Sequence, residues 1–261
     1  MSESDNVLFE TRDSGVATIT VNRPEKRNAM DIPTRKELRA TFEHAVDDGD
    51  VKVIVLRGAG ENSYIAGADL SRTAEFDHMD GLEYVTEHAQ GLYNYVAEIP
   101  KPTIAAIDGY AFGGGMEIAL ACDIRLALGG IKLGLTETTI GVIPGGGGTQ
   151  RLTGVVGVGI AKELILRGKP VDAEEALDYN LVNHVYSSDE FEDEVYAMAE
   201  ELAEQSSIAL RMAKESINRG LDLEAGLDFE RLAGSFMFAT HDQKEGAKAF
   251  LEKRDAEYEG R

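Results

Sequence analysis

Apolar and polar positions along the first two thirds of the chain switch repeatedly between a period of two and a helical period. Val16-Ala17-Thr18-Ile19-Thr20-Val21 alternates apolar with small polar residues and predicts a strand. Asn22 to Asn28 is a basic turn. Pro33 then suits a first helical turn ahead of Leu38, Phe42, Ala45 and Val46 at helical spacing. Val51–Leu56 predicts a buried strand, 57–72 a long loop, and Leu82–Val96 a helix. Pro100 and Pro102 break the chain before a strand at Thr103–Ile107. A glycine bend, a short helix to Ala121 and a strand at Ile124–Leu128 follow, then a loop and a second glycine-rich bend into Thr149–Leu152. Helices through Ile160–Leu166 and Ala173–Tyr179 lead to a last strand at Leu181–Val185. Strands alternating with helices define an α/β class. Beyond Asp189 the strand pattern stops, and Ala197, Leu202, Leu210, Ile217, Leu221, Leu227, Leu232, Phe236 and Phe250 predict four helices. Their apolar faces need a partner, either the core or another subunit. The predicted division is therefore an α/β core over 1–188 and a helical region over 189–261.

With 261 residues, 43% hydrophobic, the chain suffices for one large domain or a domain with an appendage. No run approaches the roughly 18 apolar residues of a membrane span. The acidic, polar start Met1–Asp5 has no signal-peptide character, and Cys122 is the only cysteine. A cytoplasmic protein without an internal disulfide or thiolate metal cluster is the expectation. Net charge is −21, from 47 acidic and 26 basic residues. Such a field repels nucleic acid and acidic membranes. It exceeds the roughly 2–8 charges common on small domains. A well-solvated surface explains it, and so does adaptation to high salt (a halophilic protein), where screening removes the self-repulsion.

Candidate chemistry concentrates at three bends rich in small residues. Gly113-Gly114-Gly115 joins a strand to a helix, a place where backbone N–H groups can approach a ligand. It has neither the Gly-x-Gly-x-x-Gly spacing of a dinucleotide site nor the Lys-Ser/Thr of a phosphate loop. Glu117 follows it among apolar neighbours, where burial would raise a carboxyl pKa towards that of a general acid or base. Glu137 precedes the apolar, glycine-rich stretch 140–148, a composition suited to lining a pocket. In so acidic a chain either glutamate alone is as easily a surface residue. The third bend, Ala66-Gly67-Ala68-Asp69, could aim its N–H groups at the same point as the first, which would make an oxyanion hole. The histidines His44, His78, His88, His184 and His241 show no metal-ligand spacing.

Together, Ala66-Gly67-Ala68-Asp69-Leu70, Gly113-Gly114-Gly115-x-Glu117 and Glu137-x-x-x-Gly141-x-x-Pro144-Gly145-x-Gly147-Gly148-Thr149-Gln150-Arg151-Leu152 resemble the crotonase (enoyl-CoA hydratase/isomerase) superfamily. The resemblance runs from Asn22-Arg23-Pro24 to Arg254. It implies a spiral of ββα units with a helical C-terminal region that builds trimers, often stacked as hexamers. The implied substrate is a coenzyme A thioester, with no prosthetic group and no metal. The implied oxyanion donors are the N–H groups of Ala68 and Gly114, and the implied catalytic pair is Glu117 and Glu137. Ala66 would meet the adenine of coenzyme A through its carbonyl, with Asp69 and Leu70 in the same bend. Lys26 or Arg27 would contact its phosphates, and Phe250 and Lys253 would complete the site of a neighbouring subunit.

The implied reaction is reversible addition of water to a 2-trans-enoyl-CoA, with Glu117 as base on water and Glu137 as proton donor to C2. The paired glutamates favour this over an enoyl-CoA isomerase, which commonly uses one. The segments 134–138 and 143–149 also resemble methylglutaconyl-CoA hydratases, some of which bind RNA through a lysine-rich helix. The corresponding stretch here, Asp31 to Asp50, is net acidic, which argues against RNA binding. A non-catalytic acyl-CoA-binding subunit is the alternative from another class. The glutamate pair speaks against it, because binding alone has no use for two carboxylates.

Overall fold

In the computed structural model the described residues are 6–69, 76–220, 227, 231, 234, 236–237 and 239–261, excluding the side chain of Phe250. The chain advances through strand–strand–helix turns; the first lays both strands in the larger of two sheets, and the next three lay one strand in each. β1 (Val7–Thr11) pairs antiparallel with β2 (Val16–Val21), which leads through a 3₁₀ turn (Pro24–Lys26) into α1 (Ile32–Asp47). β3 (Val53–Gly58) and β4 (Ser63–Ile65) precede α2 (His78–Glu83), which runs through a π-helical segment (Tyr84–Gln90) into α3 (Gly91–Glu98). β5 (Thr103–Ile107), β6 (Tyr110–Phe112) and α4 (Gly114–Ala121) form the next turn. β7 (Ile124–Leu128), β8 (Lys132–Gly134) and α5 (Gly148–Arg167) form the one after. β9 (Val171–Asp172), α6 (Ala173–Asp178) and β10 (His184–Tyr186) close the sheets, and α7 (Phe191–Ala203), α8 (Ser207–Arg219) and α9 (His241–Glu252) follow.

The larger sheet has the order β1-β2-β3-β5-β7-β10, parallel except at β1, and the smaller runs β4-β6-β8-β9, parallel except at β9. Both faces of the larger sheet are covered, so its central strands are apolar on both sides. Ile19, Ile54, Leu56, Ala105 and Ile107 face the core shared with Leu38 and Phe42 of α1, Tyr93 of α3 and Met116 of α4. Val16, Val53, Val55, Ile104 and Leu126 face the other way, onto Phe191, Val195 and Ala199 of α7. Each buried side chain of this size contributes roughly 2 kcal/mol of transfer free energy. Thr18 and the Tyr196 hydroxyl of α7 share a buried hydrogen bond of 2.9 Å across that layer. α1 starts where Asp31 accepts from the Thr34 N–H (2.9 Å), with a proline in the first turn.

The α/β class and the spiral of ββα units are as expected, and the differences lie at short or exposed elements. β1 does not stand out in the sequence because three of its five residues are exposed and it lies at the sheet edge. The expected loop over 57–72 contains β4, and β6, β8 and β9 are two or three residues long, too short to show a period. The third strand lies at 53–58 rather than 51–56, and the last at 184–186 rather than 181–185. The second helix begins earlier than Leu82, where Asp77 accepts from the Met79 and Asp80 N–H groups. The helix expected at 160–166 is the end of α5, broken at Gly157. Leu221 and Leu232 lie outside the described residues.

One contact between the two layers has almost no tolerance. A Cβ placed on Gly115 would stand 1.8 Å from the Ile65 carbonyl oxygen, so β4 and α4 touch through backbone alone. Gly115→Ala is expected to destabilise the fold by on the order of 3 kcal/mol in urea titration. Gly154→Ala, within α5 and facing open space, is the control and should gain a few tenths to about 1 kcal/mol.

Candidate active site

Two of the three small-residue bends meet. Gly67 has φ +104° and Gly113 has φ +51°, the left-handed half of the map that favours glycine. A Cβ on Gly67 would lie 3.3 Å from the Gly114 nitrogen, so the bend after β4 and the first residue of α4 are in direct apposition. The Met30 N–H donates to the Gly67 carbonyl (2.8 Å) and the Asp69 N–H to the Met30 carbonyl (3.3 Å), which fixes Ala68 between them in a parallel bridge to Met30. Neither the Ala68 nor the Gly114 N–H donates to a backbone carbonyl of the described residues. Both amides therefore lack a backbone acceptor among the described residues where the two bends face each other.

The two glutamates differ in how they are held. Glu117, in the first turn of α4, is 4% exposed, and its Oε1 accepts from the Gly146 N–H (2.7 Å) and the Gly148 N–H (2.9 Å). Glu137 opens a 3₁₀ turn (Glu137–Ile140) and carries two buried carboxyl oxygens with no partner on another of the described residues. A Cβ on Gly113 would meet Glu137 Oε1 at 3.3 Å, so this carboxyl lies against the same glycine run. The Gly113 N–H donates to the Gly134 carbonyl (2.9 Å), which ties that run to the end of β8 just ahead of Glu137.

The enoyl-CoA hydratase/isomerase family model matches residues 11–261. A short-chain-enoyl-CoA hydratase of Clostridium acetobutylicum is 38% identical over 257 residues, covering 98% of each chain. A mitochondrial methylglutaconyl-CoA hydratase of Mus musculus is 38% identical, covering 97% of this chain and 82% of its own. The crystal structure of an enoyl-CoA hydratase from Bacillus anthracis superposes with a TM-score of 0.94 at 39% identity, covering 98% of this chain and 100% of that one. The chain belongs to the enoyl-CoA hydratase/isomerase family.

Among the family positions named in the sequence, the turn carrying Lys26 and Arg27 is tied to the Ala66–Asp69 bend. The Arg27 carbonyl receives the Ala66 N–H (3.1 Å) and the Ser63 hydroxyl (3.0 Å), while both basic side chains stay exposed. Asp69 pairs with Arg23 at 3.8 Å, and Arg23 also pairs with Asp31 at 3.0 Å. That gives Asp69 a partner within the chain. Leu70 and the side chain of Phe250 lie outside the described residues. Lys253 is exposed just past α9, whose hydrogen bonds and ion pairs include ones to Ser206 and to residues 254–261.

Sequence reasoning missed the groups that surround Glu117. The Gly146 and Gly148 amides lie inside the glycine run 145–148, which signalled a pocket but not its occupant. Arg151 donates to the Gly146 carbonyl (3.0 Å) and to Asn94 Oδ1 (2.6 Å), bracing that run from α5. Arg35 and Tyr93 are also buried beside it. Their signal was weak but present, since position 35 lies three residues before Leu38 on the face of α1 that turns inward.

Electrostatics separate the pair further. Burial pushes the Glu117 carboxyl above its ordinary range, opposed by the Gly148 and Gly146 amides and by the Arg35 and Arg151 guanidiniums. Burial pushes Glu137 up more, to about 7, and the neighbouring Glu117 charge adds to it. Near neutrality the pair thus favours one carboxylate, at 117, and one carboxylic acid, at 137. The consequence for stability has a definite sign. A carboxyl with a raised folded pKa contributes fully below its ordinary value of 4.5, and the contribution is lost as pH rises to about 7. Glu137→Gln is therefore expected to melt like the parent at pH 4 and to exceed it at pH 8 by about 2 kcal/mol, after allowing for partial exposure. Calorimetric scans at the two pH values check this, and an equal or lower stability of the variant at pH 8 would contradict it.

Proposed function

We propose that this protein hydrates 2-trans-enoyl-CoA thioesters to 3-hydroxyacyl-CoA. The observation that carries the reading is the unequal glutamate pair beside two bends whose Ala68 and Gly114 amides lack backbone acceptors among the described residues. Attack of water at C3 drives electron density onto the thioester oxygen as an enolate. Amides of Ala68 and Gly114 aimed at that oxygen stabilise the transition state more than the ground state, one such donor being worth roughly 3–4 kcal/mol. Glu117, ionised, takes a proton from the water as its oxygen bonds to C3. Glu137, protonated, delivers its proton to C2 as the enolate collapses. One water is added, and the two carboxyls exchange protonation states, so a proton must return from Glu117 to Glu137, directly or through solvent, before the next turnover. The raised value of Glu137 suits a group that must carry a proton near neutral pH.

The exposed Lys26 and Arg27, tied by backbone to the Ala66 bend, provide local positive charge for the phosphates of coenzyme A on a chain of net charge −21. The Ala66 carbonyl would face the adenine, with Lys253 and Phe250 contributed by a neighbouring subunit. The assembly we propose is a trimer or a pair of trimers. Supporting it, Ile217, Leu227, Phe236 and Leu251 of the C-terminal region are each about half or more exposed in the single chain, Leu251 at 81%.

Crotonyl-CoA tests the chemistry directly through loss of its enoyl-thioester absorbance. Glu137→Gln and Glu117→Gln are each expected to lower kcat by roughly a hundredfold or more, with KM changed little. Parental turnover in either variant would remove that residue from the mechanism, and loss of activity in one alone would mean that a single glutamate carries the hydration. Light scattering during size-exclusion chromatography should return three or six copies of the chain, and a monomer with full activity would overturn the proposed assembly.

A further inference from the structure

A buried arginine stands behind the candidate site with no carboxylate paired to it among the described residues. Arg35 of α1 is 3% exposed and forms no ion pair within 4 Å among the described residues. Its Nη1 donates to the Tyr93 hydroxyl at 2.7 Å and to the His88 carbonyl at 3.3 Å, and its Nε is buried with no partner. The His88 carbonyl belongs to the π-helical segment 84–90, whose Tyr84 ring lies 5.2 Å from the guanidinium. Gln90 at the end of that segment donates to the Gly145 carbonyl (2.8 Å). A guanidinium is costly to bury unpaired, and nothing about the packing of α1 needs one, since Leu38, Phe42 and Ala45 already anchor the helix.

Its location relates it to the reacting groups. Tyr93 is fully buried and wedged between two glycines of the site. A Cβ on Gly114 would lie 2.8 Å from the Tyr93 hydroxyl and 3.3 Å from Arg35 Nη2. A Cβ on Gly146 would lie 2.4 Å from the Tyr93 ring and 2.6 Å from Glu117 Oε2. Tyr93 therefore backs both the first residue of α4 and the amide that donates to Glu117. The charged and titratable groups acting on Glu117 come from five elements: Arg35 on α1, Tyr84 on the π segment, Tyr93 on α3, Glu137 on the 3₁₀ turn and Arg151 on α5. Arg151 is also committed to Gly146 and Asn94. Arg35, with one nitrogen unused and no carboxylate of its own, is the cation whose charge is least compensated locally.

We propose that Arg35 is a positioning residue for the hydration step, holding the Gly114 and Gly146 amides in place through Tyr93 and setting a permanent positive charge behind Glu117. This rests on the hydratase reading above for its catalytic consequence, but not for its electrostatic one. The field of Arg35 favours the ionised form of Glu117, so removing the charge should make that carboxyl harder to ionise.

The test uses Arg35→Met, Arg35→Lys and Tyr93→Phe in the full chain. With crotonyl-CoA, R35M is expected to keep KM within about threefold, lose kcat by roughly tenfold or more, and move the acidic limb of kcat/KM up by about half a pH unit or more. R35K, which keeps the charge but not the fork, should restore the limb while leaving kcat low, and Y93F should do the same. In parallel, infrared difference spectra against Glu117→Gln follow the Glu117 carboxyl titration without requiring turnover, and should shift upward in R35M only. Parental kcat together with unshifted limb and infrared titration in R35M overturns the proposal. If R35M does not fold, Arg35→Gln carries the same infrared comparison. A parent protein that hydrates no enoyl-CoA would refute the hydratase reading alone, because the infrared shift decides the placement of the Arg35 charge independently.

Discussion

Everything at the site depends on how closely β4 and α4 approach through bare backbone. Gly115 meets the Ile65 carbonyl where no side chain could fit, and Gly67 meets the Gly114 nitrogen one residue earlier. Those contacts are made by successive turns of the same spiral, since β4 and β6 are parallel neighbours in the smaller sheet and α4 grows directly out of β6. A side chain at Gly115 would have to push these turns apart, and with them the two bends that carry the amides. The glycines therefore set the spacing of the donors first and the shape of the pocket second. Glu117 follows from the same constraint, because it lies one helical turn after Gly113, whose carbonyl accepts its N–H at 2.9 Å.

Within that frame, the two carboxyls receive opposite treatment from the backbone around them. The glycine run before α5 gives Glu117 two N–H donors, which offset part of the cost of burying its charge. Glu137 has no such donors among the described residues, so its neutral form is favoured up to about pH 7. In the proposed reaction, the division into acceptor and donor of protons follows from hydrogen-bond supply and not from residue type. The same lack of partners makes Glu137 a local weakness in the folded state. A position with two unsatisfied buried oxygens is tolerated where chemistry needs a proton held loosely.

The long apolar strands and the three small-residue bends were legible in the sequence because burial on both faces leaves continuous apolar runs and because close backbone approach demands glycine. The resemblance of those bends to a family then supplied the glutamate roles that residue types alone left evenly balanced against a surface position. What escaped was of two kinds. β4, β6, β8 and β9 are too short for periodicity, although their pairing is what aligns the bends. The groups that tune Glu117 come from α1, α3 and α5, distant in sequence, and no local pattern joins Arg35, Tyr93 and Arg151. Of these only Arg35 left a local signal that could have been found, as a charge in register with Leu38, Phe42 and Ala45 on the inward face of its helix.

The contrast between surface and interior charge explains how one chain can carry −21 and still hold a carboxylate chemistry in balance. Ion pairs such as Arg39–Glu43, Arg167–Glu163 and Arg219–Glu215 are one-turn helix pairs on the surface, worth a few tenths of a kcal/mol each and weakened by salt. Arg35 and Arg125 are buried instead, and Arg125 donates to the carbonyls of Leu181 and Cys122 with no ion pair among the described residues. Screening by mobile ions acts where ions can reach, so it relaxes the acidic surface while leaving the interior charges almost unchanged. Salt should therefore affect how tightly the fold and the anionic substrate are held far more than it affects the difference between Glu117 and Glu137. The acidity of the exterior and the proton affinities of the interior can vary independently because desolvated backbone and buried guanidiniums, not the net charge, set the latter.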